Sequence, residues 1–88
     1  MREYVKKPVI VKAIQLTKDN IQEIHTILFG EPATTSHKWE AYCDLVMQYG
    51  FHTDFGKLRP NAWLVLDGTE YQLVNDYDFI DNYEPHMG

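Results

Sequence analysis

The stretch Ala62-Trp63-Leu64-Val65-Leu66-Asp67-Gly68-Thr69-Glu70-Tyr71-Gln72-Leu73-Val74 contains two apolar segments on either side of an Asp-Gly pair. Both segments are rich in the β-branched and aromatic residues that favour strands. Asp-Gly readily supplies the positive φ angles that a tight hairpin needs. We therefore predict a β-hairpin over residues 62–74.

The size of the chain allows one domain, residues 1–88, with a single modest core. A hydrophobic share of 44% and an aromatic share of 14% argue against a disordered chain. The single cysteine, Cys43, cannot form an internal disulfide, which suits a reducing compartment. The N-terminus does not read as a signal peptide, and no run approaches the roughly 20 apolar residues of a membrane span. We therefore expect a cytoplasmic protein that does not contact a membrane.

Two regular elements are predicted in the N-terminal third. Residues 9–16, Val-Ile-Val-Lys-Ala-Ile-Gln-Leu, are nearly continuously apolar, which predicts a strand in the interior of a sheet. Asn20 with Glu23 three places on resembles a capping box, and Gly30 is a typical helix end. Apolar residues recur between them at helical spacing: Ile21, Ile24, Ile27 and Leu28. We predict a helix over residues 20–29, packed on one face of the sheet.

The middle of the chain fits more than one structure. Residues 31–37 predict a loop, and residues 53–61 predict a turn-rich link. Between them, a helical stripe runs through Trp39, Tyr42, Cys43, Val46 and Tyr49, whereas Leu45-Val46-Met47-Gln48-Tyr49 fits a strand. We expect a helical turn near residues 38–43 that passes into a strand at about 44–51.

The C-terminal segment predicts a short helix over residues 75–84 that ends before Pro85, followed by a frayed end at residues 86–88. Phe79, Ile80 and Tyr83 would pack together on one helical face. The predicted fold is an α+β domain: a small, mostly antiparallel sheet with one main helix packed on a face and a short C-terminal helix. In this prediction, side chains from both ends of the chain close over the same helix.

The charges are distributed unevenly along the chain, whose net charge is −5. Residues 1–18 contain five Lys and Arg against the lone Glu3, whereas residues 61–88 contain six acidic residues and no Lys or Arg. This excess of acidic over basic residues argues against direct nucleic-acid binding.

The aromatic residues exceed what one small core can hold, and exposed aromatic side chains with acidic neighbours favour protein binding. We expect the binding residues to be Asp67, Glu70, Tyr77, Asp78 and Asp81. The alternative is that these residues form a solvated polar surface with no binding role.

Catalytic and metal-binding motifs are not evident, so we expect a protein that is not an enzyme and that carries no cofactor or metal. Cys43 precedes Asp44, whereas a reactive thiolate needs a cationic setting, so we expect a buried structural cysteine. Asp76 and Asp78 lack the glycine and the closing glutamate of a calcium loop. The alternative function is binding of a small ligand or metal, at His52 and Asp54 or at the acidic end.

Both ends of the chain match a known pattern. The N-terminal match is Tyr4-Val5-Lys6-Lys7-Pro8-Val9-Ile10-Val11-Lys12-Ala13-Ile14-Gln15-Leu16-Thr17, followed by Asn20. The C-terminal match comprises Trp63-Leu64-Val65, Glu70-Tyr71 and Phe79-Ile80-Asp81-Asn82-Tyr83-Glu84-Pro85. This pattern resembles a family of small proteins encoded by tailed phages and prophages. The chain departs from it at Asn61-Ala62, in place of Gly-Asp, and at Thr69, in place of a glycine.

The resemblance covers a little over half of the chain and leaves residues 31–60 unaligned. It implies an α+β phage accessory protein in the cytoplasm of an infected or lysogenic bacterium. The family has no established activity, so no functional residue carries over from it. We therefore expect the protein to bind a host or phage protein, such as a defence protein, and we leave homodimerisation through exposed sheet edges open.

Overall fold

The main sheet was identified in a computed structural model, which describes residues 1–6, 9–33 and 38–86. Within these ranges, five strands pair in the order β6-β5-β2-β1-β7, and every pairing is antiparallel. The strands are β1 (Arg2–Lys6), β2 (Val9–Gln15), β5 (Trp63–Asp67), β6 (Glu70–Val74) and β7 (Glu84–Pro85). A separate hairpin consists of β3 (Phe51–Thr53) and β4 (Gly56–Leu58).

The remaining elements are helical. A 3₁₀ turn (Lys18–Asn20) leads into α1 (Ile21–Phe29), and α2 (Trp39–Tyr49) and α3 (Asp76–Asn82) follow later in the chain. The predicted α+β class with a mostly antiparallel sheet is confirmed. Three features from the sequence analysis lie wholly or partly outside the described residues. They are the loop at 31–37, the frayed end at 86–88 and the Lys7-Pro8 pair.

Strand β2 lies at the centre of the sheet, as predicted, with β1 on one side and β5 on the other. Its side chains are buried on both faces, because Val11 and Ala13 point to one side and Ile14 to the other. This two-sided burial explains why its sequence is nearly continuously apolar. The predicted hairpin is also confirmed as β5–β6, and Gly68 supplies the positive φ of the turn at 64°.

Two clusters of buried side chains lie on opposite faces of the sheet. The larger cluster packs β2 and β5 against α1, α2 and the β3–β4 hairpin, with Ile21, Ile24 and Leu58 fully buried. The smaller cluster packs Phe79 of α3, and Tyr83 just after the helix, against the other face. The prediction that both ends close over the same helix was therefore wrong for α3. Because β2 and β5 bury side chains on both faces, the sheet needs cover on both sides.

The strand predicted at residues 44–51 was wrong, since α2 continues through Tyr49 and the following strand begins at Phe51. Cys43 and Val46 are buried at helical spacing, whereas Leu45 is 54% exposed. The helical stripe was thus the correct pattern, and the apolar run at 45–49 is divided between two helix faces. The link at 53–61 contains β4, and sequence analysis assigned no element to the charged segment that forms β1.

The start of α1 differs from the predicted capping box. The Asn20 side chain makes no capping hydrogen bond and instead donates to the Gln15 carbonyl oxygen at 3.0 Å. Glu23 contacts the N-terminal amine. The helix is entered through the 3₁₀ turn, which carries the chain from the end of β2. Its end at Gly30 is as predicted, with a φ of 81° and a hydrogen bond to the Thr26 carbonyl oxygen.

Gly50 joins α2 to β3 in a conformation that is nearly exclusive to glycine, with φ 78° and ψ −171°. A Cβ atom at this position would collide with the carbonyl oxygen of Leu58 on β4. The chain can therefore turn sharply from the helix into the small hairpin only if residue 50 has no side chain. Gly30 also has a positive φ, but open space surrounds the position of its Cβ.

We predict that Gly50→Ala lowers the free energy of unfolding by at least about 3 kcal/mol, because backbone strain and a backbone collision add together. The matched variant Gly30→Ala should cost only about 1–2 kcal/mol, the strain of a left-handed alanine. Urea unfolding of both variants measures the difference. Equal losses in the two variants would contradict the close approach of Gly50 to Leu58.

Candidate functional site

The short helix α3 is held on the sheet by aromatic side chains. Phe79 stacks on Trp63 with ring centroids 3.7 Å apart and on Tyr83 at 4.5 Å, and Tyr4 meets Phe79 edge-on at 5.0 Å. Phe79 and Tyr83 are four residues apart, so they lie on the same side of the helix. This packing defines the opposite side of α3 as a solvent-facing surface.

Two acidic residues of α3 have structural roles at its N-terminus. Asp76 Oδ1 accepts hydrogen bonds from Trp63 Nε1 at 2.9 Å and from Gln15 Nε2 at 3.2 Å. The Asn75 side chain caps the helix by accepting from the Asp78 backbone N–H at 2.8 Å, and it donates to the Asp78 carboxylate at 2.9 Å. Asp76 thus anchors the helix to the sheet, and Asp78 takes part in the N-terminal cap.

The outer face of α3, defined here as Tyr77, Asp78, Ile80 and Asp81, combines apolar and acidic side chains. Tyr77 is 84% exposed and Ile80 is 66% exposed, and both aspartates are exposed as well. The prediction that Ile80 packs with Phe79 and Tyr83 was wrong. Ile80 is rotated by roughly 100° from Phe79 around the helix, and the sheet contacts only the side of the helix that carries Phe79. Sequence analysis therefore missed Ile80 as a surface residue.

The structure divides the five predicted binding residues into two groups. Tyr77, Asp78 and Asp81 lie together on the outer face of α3. Asp67 and Glu70 instead face each other across the turn of the β5–β6 hairpin. The hairpin extends about 13 Å from this pair to Val74, which precedes α3. The two groups therefore form separate acidic patches rather than one continuous site.

The acidic groups on these patches form no ion pair with any residue that the structure describes. In the described part of the chain, the ion pairs join Glu23 to the N-terminal amine and Lys18 to Glu40 and Asp44, all away from the C-terminal third. Asp67 and Glu70 are directly opposed like charges, an arrangement that is mildly destabilising. Lys6 borders the end of α3, where its ammonium lies 5.7 Å from the centre of the Tyr83 ring. Both patches are thus open to a positively charged partner.

A cleft of about 540 Å³ lies where β2 extends past the first residue of β1. Arg2, Gln15 and Asn20 line it together with the rings of Tyr4 and Trp63. This volume is within the range of small-molecule sites, roughly 300–1,000 Å³. Sequence analysis missed the cleft because it depends on where β1 begins relative to the end of β2. The cleft, more than His52 and Asp54, is the concave feature on which the small-ligand alternative would rest.

The residues considered for other chemistry lie apart from both patches. Cys43 is 2% exposed, which confirms its predicted burial, and this burial raises the pKa of its thiol, with a further contribution from Glu40. His52 and Asp54 are both exposed at the β3–β4 hairpin. Within residues 1–6, 9–33 and 38–86, no three His, Cys, Asp or Glu side chains form a group that could hold a metal.

None of the helices in the described ranges has the length and apolar character that a membrane span requires.

Comparisons with protein-family models, curated proteins and solved structures found no match to this chain. The resemblance of both chain ends to small phage proteins therefore stays a prediction.

We predict that Asp76→Ala lowers the free energy of unfolding by about 2 kcal/mol, because it leaves the half-buried Trp63 N–H without its acceptor. The matched variant Asp81→Ala, on the same helix, should change stability by no more than about 0.5 kcal/mol. Urea unfolding followed by tryptophan fluorescence compares the two. A loss of similar size for both variants would show that Asp76 does not anchor α3.

We also predict that Cys43 in the folded protein reacts with a disulfide reagent at pH 8 at least about tenfold more slowly than in the urea-unfolded chain. Burial restricts access, and the raised pKa lowers the fraction of thiolate. Above pH 9.0, the ordinary thiol value, the rate for the unfolded chain should level off while that for the folded protein still rises. Equal rates in both states would contradict a protected thiol.

Proposed function

We propose that this protein is a non-enzymatic accessory protein of a phage or prophage that acts in the cytoplasm of a bacterial host by binding another protein. The surface proposed for binding is the outer face of α3. The observation that carries the proposal is the adjacent exposure of Tyr77 and Ile80 on a helix whose neighbouring side chains are acidic. Resemblance of both chain ends to small phage proteins supports the accessory role.

Tyr77 and Ile80 are suited to the centre of an interface. They are three positions apart and therefore lie side by side on the helix surface. Single exposed apolar side chains are common and need no explanation, but adjacent large ones form a patch. Tyrosine contributes a large contact area at a small cost in conformational entropy and is frequent among residues that dominate binding energy. Together they would provide the apolar centre of the contact.

The charges indicate the chemistry of the partner. Asp78 and Asp81 lie beside the apolar pair on the same helix face, and the hairpin pair Asp67 and Glu70 adds a second negative patch. Complementary potentials accelerate association and exclude partners of the wrong charge. The proposed partner is therefore a protein with a basic surface around an apolar pocket. Nucleic-acid-binding proteins of the host, including defence proteins, belong to this class.

The rigidity of α3 supports the same conclusion. Its N-terminus is fixed by Asn75 and Asp76, and its inner side is fixed by Phe79 and Tyr83. A surface that is already ordered before binding loses less conformational entropy when the complex forms. The outer face of α3 is thus presented by a helix that needs no rearrangement to dock on a partner.

We predict that a photo-crosslinking amino acid at position 77 captures a specific basic protein from bacterial lysate. The matched control places the same amino acid at Tyr49, which is 55% exposed on α2 and lies outside the acidic patches. Capture at position 77 should weaken when Asp81→Lys is added, because the partner then meets a positive charge. Capture should also weaken at about 1 M salt, which screens charges beyond roughly 3 Å.

Two further outcomes decide the proposal. Ile80→Ala should reduce binding of the captured protein, measured with both components purified, by about tenfold, as expected for a central apolar contact. Asp54→Lys, a charge reversal on the exposed β3–β4 turn, should leave that affinity unchanged. Identical capture at positions 77 and 49, or equal effects of Asp81→Lys and Asp54→Lys, would refute binding through α3.

A further inference from the structure

The two edges of the main sheet differ in how they are protected. The edge strand β7 has two residues, one of which is Pro85, and short strands and proline are common devices that prevent pairing with another chain. The opposite edge strand, β6, has five residues and contains no proline, lysine or arginine. Its single charge is that of Glu70, at its first position. Strand β6 is thus the edge that remains open to a further strand.

The hydrogen-bonding groups on the open edge follow from the register. Asp67 pairs with Glu70 across a two-residue turn, so residues 70, 72 and 74 direct their backbone groups toward β5. Tyr71 and Leu73 consequently direct their backbone N–H and C=O groups outward. No backbone hydrogen bond to these outward groups occurs among the described residues. Two donors and two acceptors therefore line the edge in the spacing of a strand.

Neighbouring elements in the described part of the chain make no backbone hydrogen bond to this edge. Helix α3 leaves β6 and crosses the sheet toward β7 at the far edge. The β3–β4 hairpin lies beside β6: the Phe55 ring stacks on Tyr71 at 5.8 Å, and the Gly56 backbone lies next to the Leu73 side chain. Within residues 1–6, 9–33 and 38–86, β3 and β4 pair with each other and not with a strand of the main sheet. The outward backbone groups of β6 thus have no strand partner among the described residues.

We propose that β6 pairs with β6 of a second copy of this chain, antiparallel and with Gln72 on the two-fold axis. In this register Tyr71 faces Leu73 of the second copy and exchanges both backbone hydrogen bonds with it, as the outward groups require. The two-fold axis repeats this pair, which gives four hydrogen bonds. The pairing is isologous and closed, as in most homodimers, and extends each five-stranded sheet into one of ten strands.

The side chains of β6 are compatible with this register. Tyr71 and Leu73 lie on the face of the larger core, so their cross-strand contacts would continue an apolar surface that already includes Phe55. Gln72 would meet Gln72 of the second copy, and two amides can hydrogen-bond to each other. Glu70 would face Val74 and not another acid. The two Glu70 side chains would be about 13 Å apart along the strands, beyond the Debye length of about 8 Å in physiological salt.

The test introduces charged residues at position 72, which lies on the two-fold axis of the proposed dimer. Wild-type protein should show a dimer in sedimentation analysis as its concentration is raised to about 1 mM. Gln72→Lys and Gln72→Glu should each raise the dimer dissociation constant by about fivefold or more, because like charges would then be directly opposed. An equimolar mixture of these two variants should dimerise at least as well as wild type. Thr69→Lys and Thr69→Glu, in the exposed turn outside the paired residues, serve as matched controls.

Amide hydrogen exchange provides an independent readout. In the dimer, the Tyr71 and Leu73 amides should become protected as protein concentration rises. The Gln72 amide bonds to β5 and should be protected at every concentration, so it serves as the internal reference. A wild-type protein that remains monomeric at about 1 mM would overturn the proposal. A dimer that both Gln72 variants leave intact, with Tyr71 and Leu73 amides exchanging freely, would also overturn it.

Discussion

The pairing of β2 with both β1 and β5 is the constraint on which the rest of the structure depends. It places a strand with buried side chains on both faces at the centre of the sheet. Such a sheet is stable only when each face is covered, because exposed aliphatic side chains lose the favourable free energy of burial. Helices α1 and α2 cover one face. Helix α3 covers the other face, where it connects the two edge strands, β6 and β7.

The position of α3 explains why the acidic residues at the C-terminal end have different roles. The helix must be fixed to the sheet, and Asp76 does so through the Trp63 and Gln15 side chains of two different strands. Asp78 is engaged with the cap residue Asn75. Asp81 lies beyond the first turn and faces solvent beside Tyr77 and Ile80. Anchoring one side of the helix thus leaves an apolar and acidic surface on the other.

The two proposed interfaces use different parts of the molecule and are mutually compatible. Residues directly opposed in an antiparallel pair point to the same face of a sheet. Pairing through β6 would therefore place both α3 helices on the same face of the joined sheet. Two identical acidic surfaces on one face would bind a partner with repeated basic sites more tightly than one surface alone, because the second contact becomes intramolecular.

The amino-acid pattern alone was sufficient for the elements defined by short-range interactions. The β5–β6 hairpin, the end of α1 at Gly30 and the cap of α3 at Asn75 depend on backbone preferences of residues a few positions apart. The strand β2 was recognisable from its continuous apolar run. The class of the fold, α+β with an antiparallel sheet, followed from these elements.

Only the tertiary structure decided which apolar side chains are buried and which remain exposed. Ile80 and Leu45 have the same hydrophobic character as their buried neighbours, and the geometry of packing alone excludes them from the core. The course of α2, the pairing of β1 and the crossing of α3 to the second face depend on contacts between distant residues. Short-range patterns specify which secondary structure a segment can form. Contacts between residues that are distant in the sequence decide which segment covers each face of the sheet.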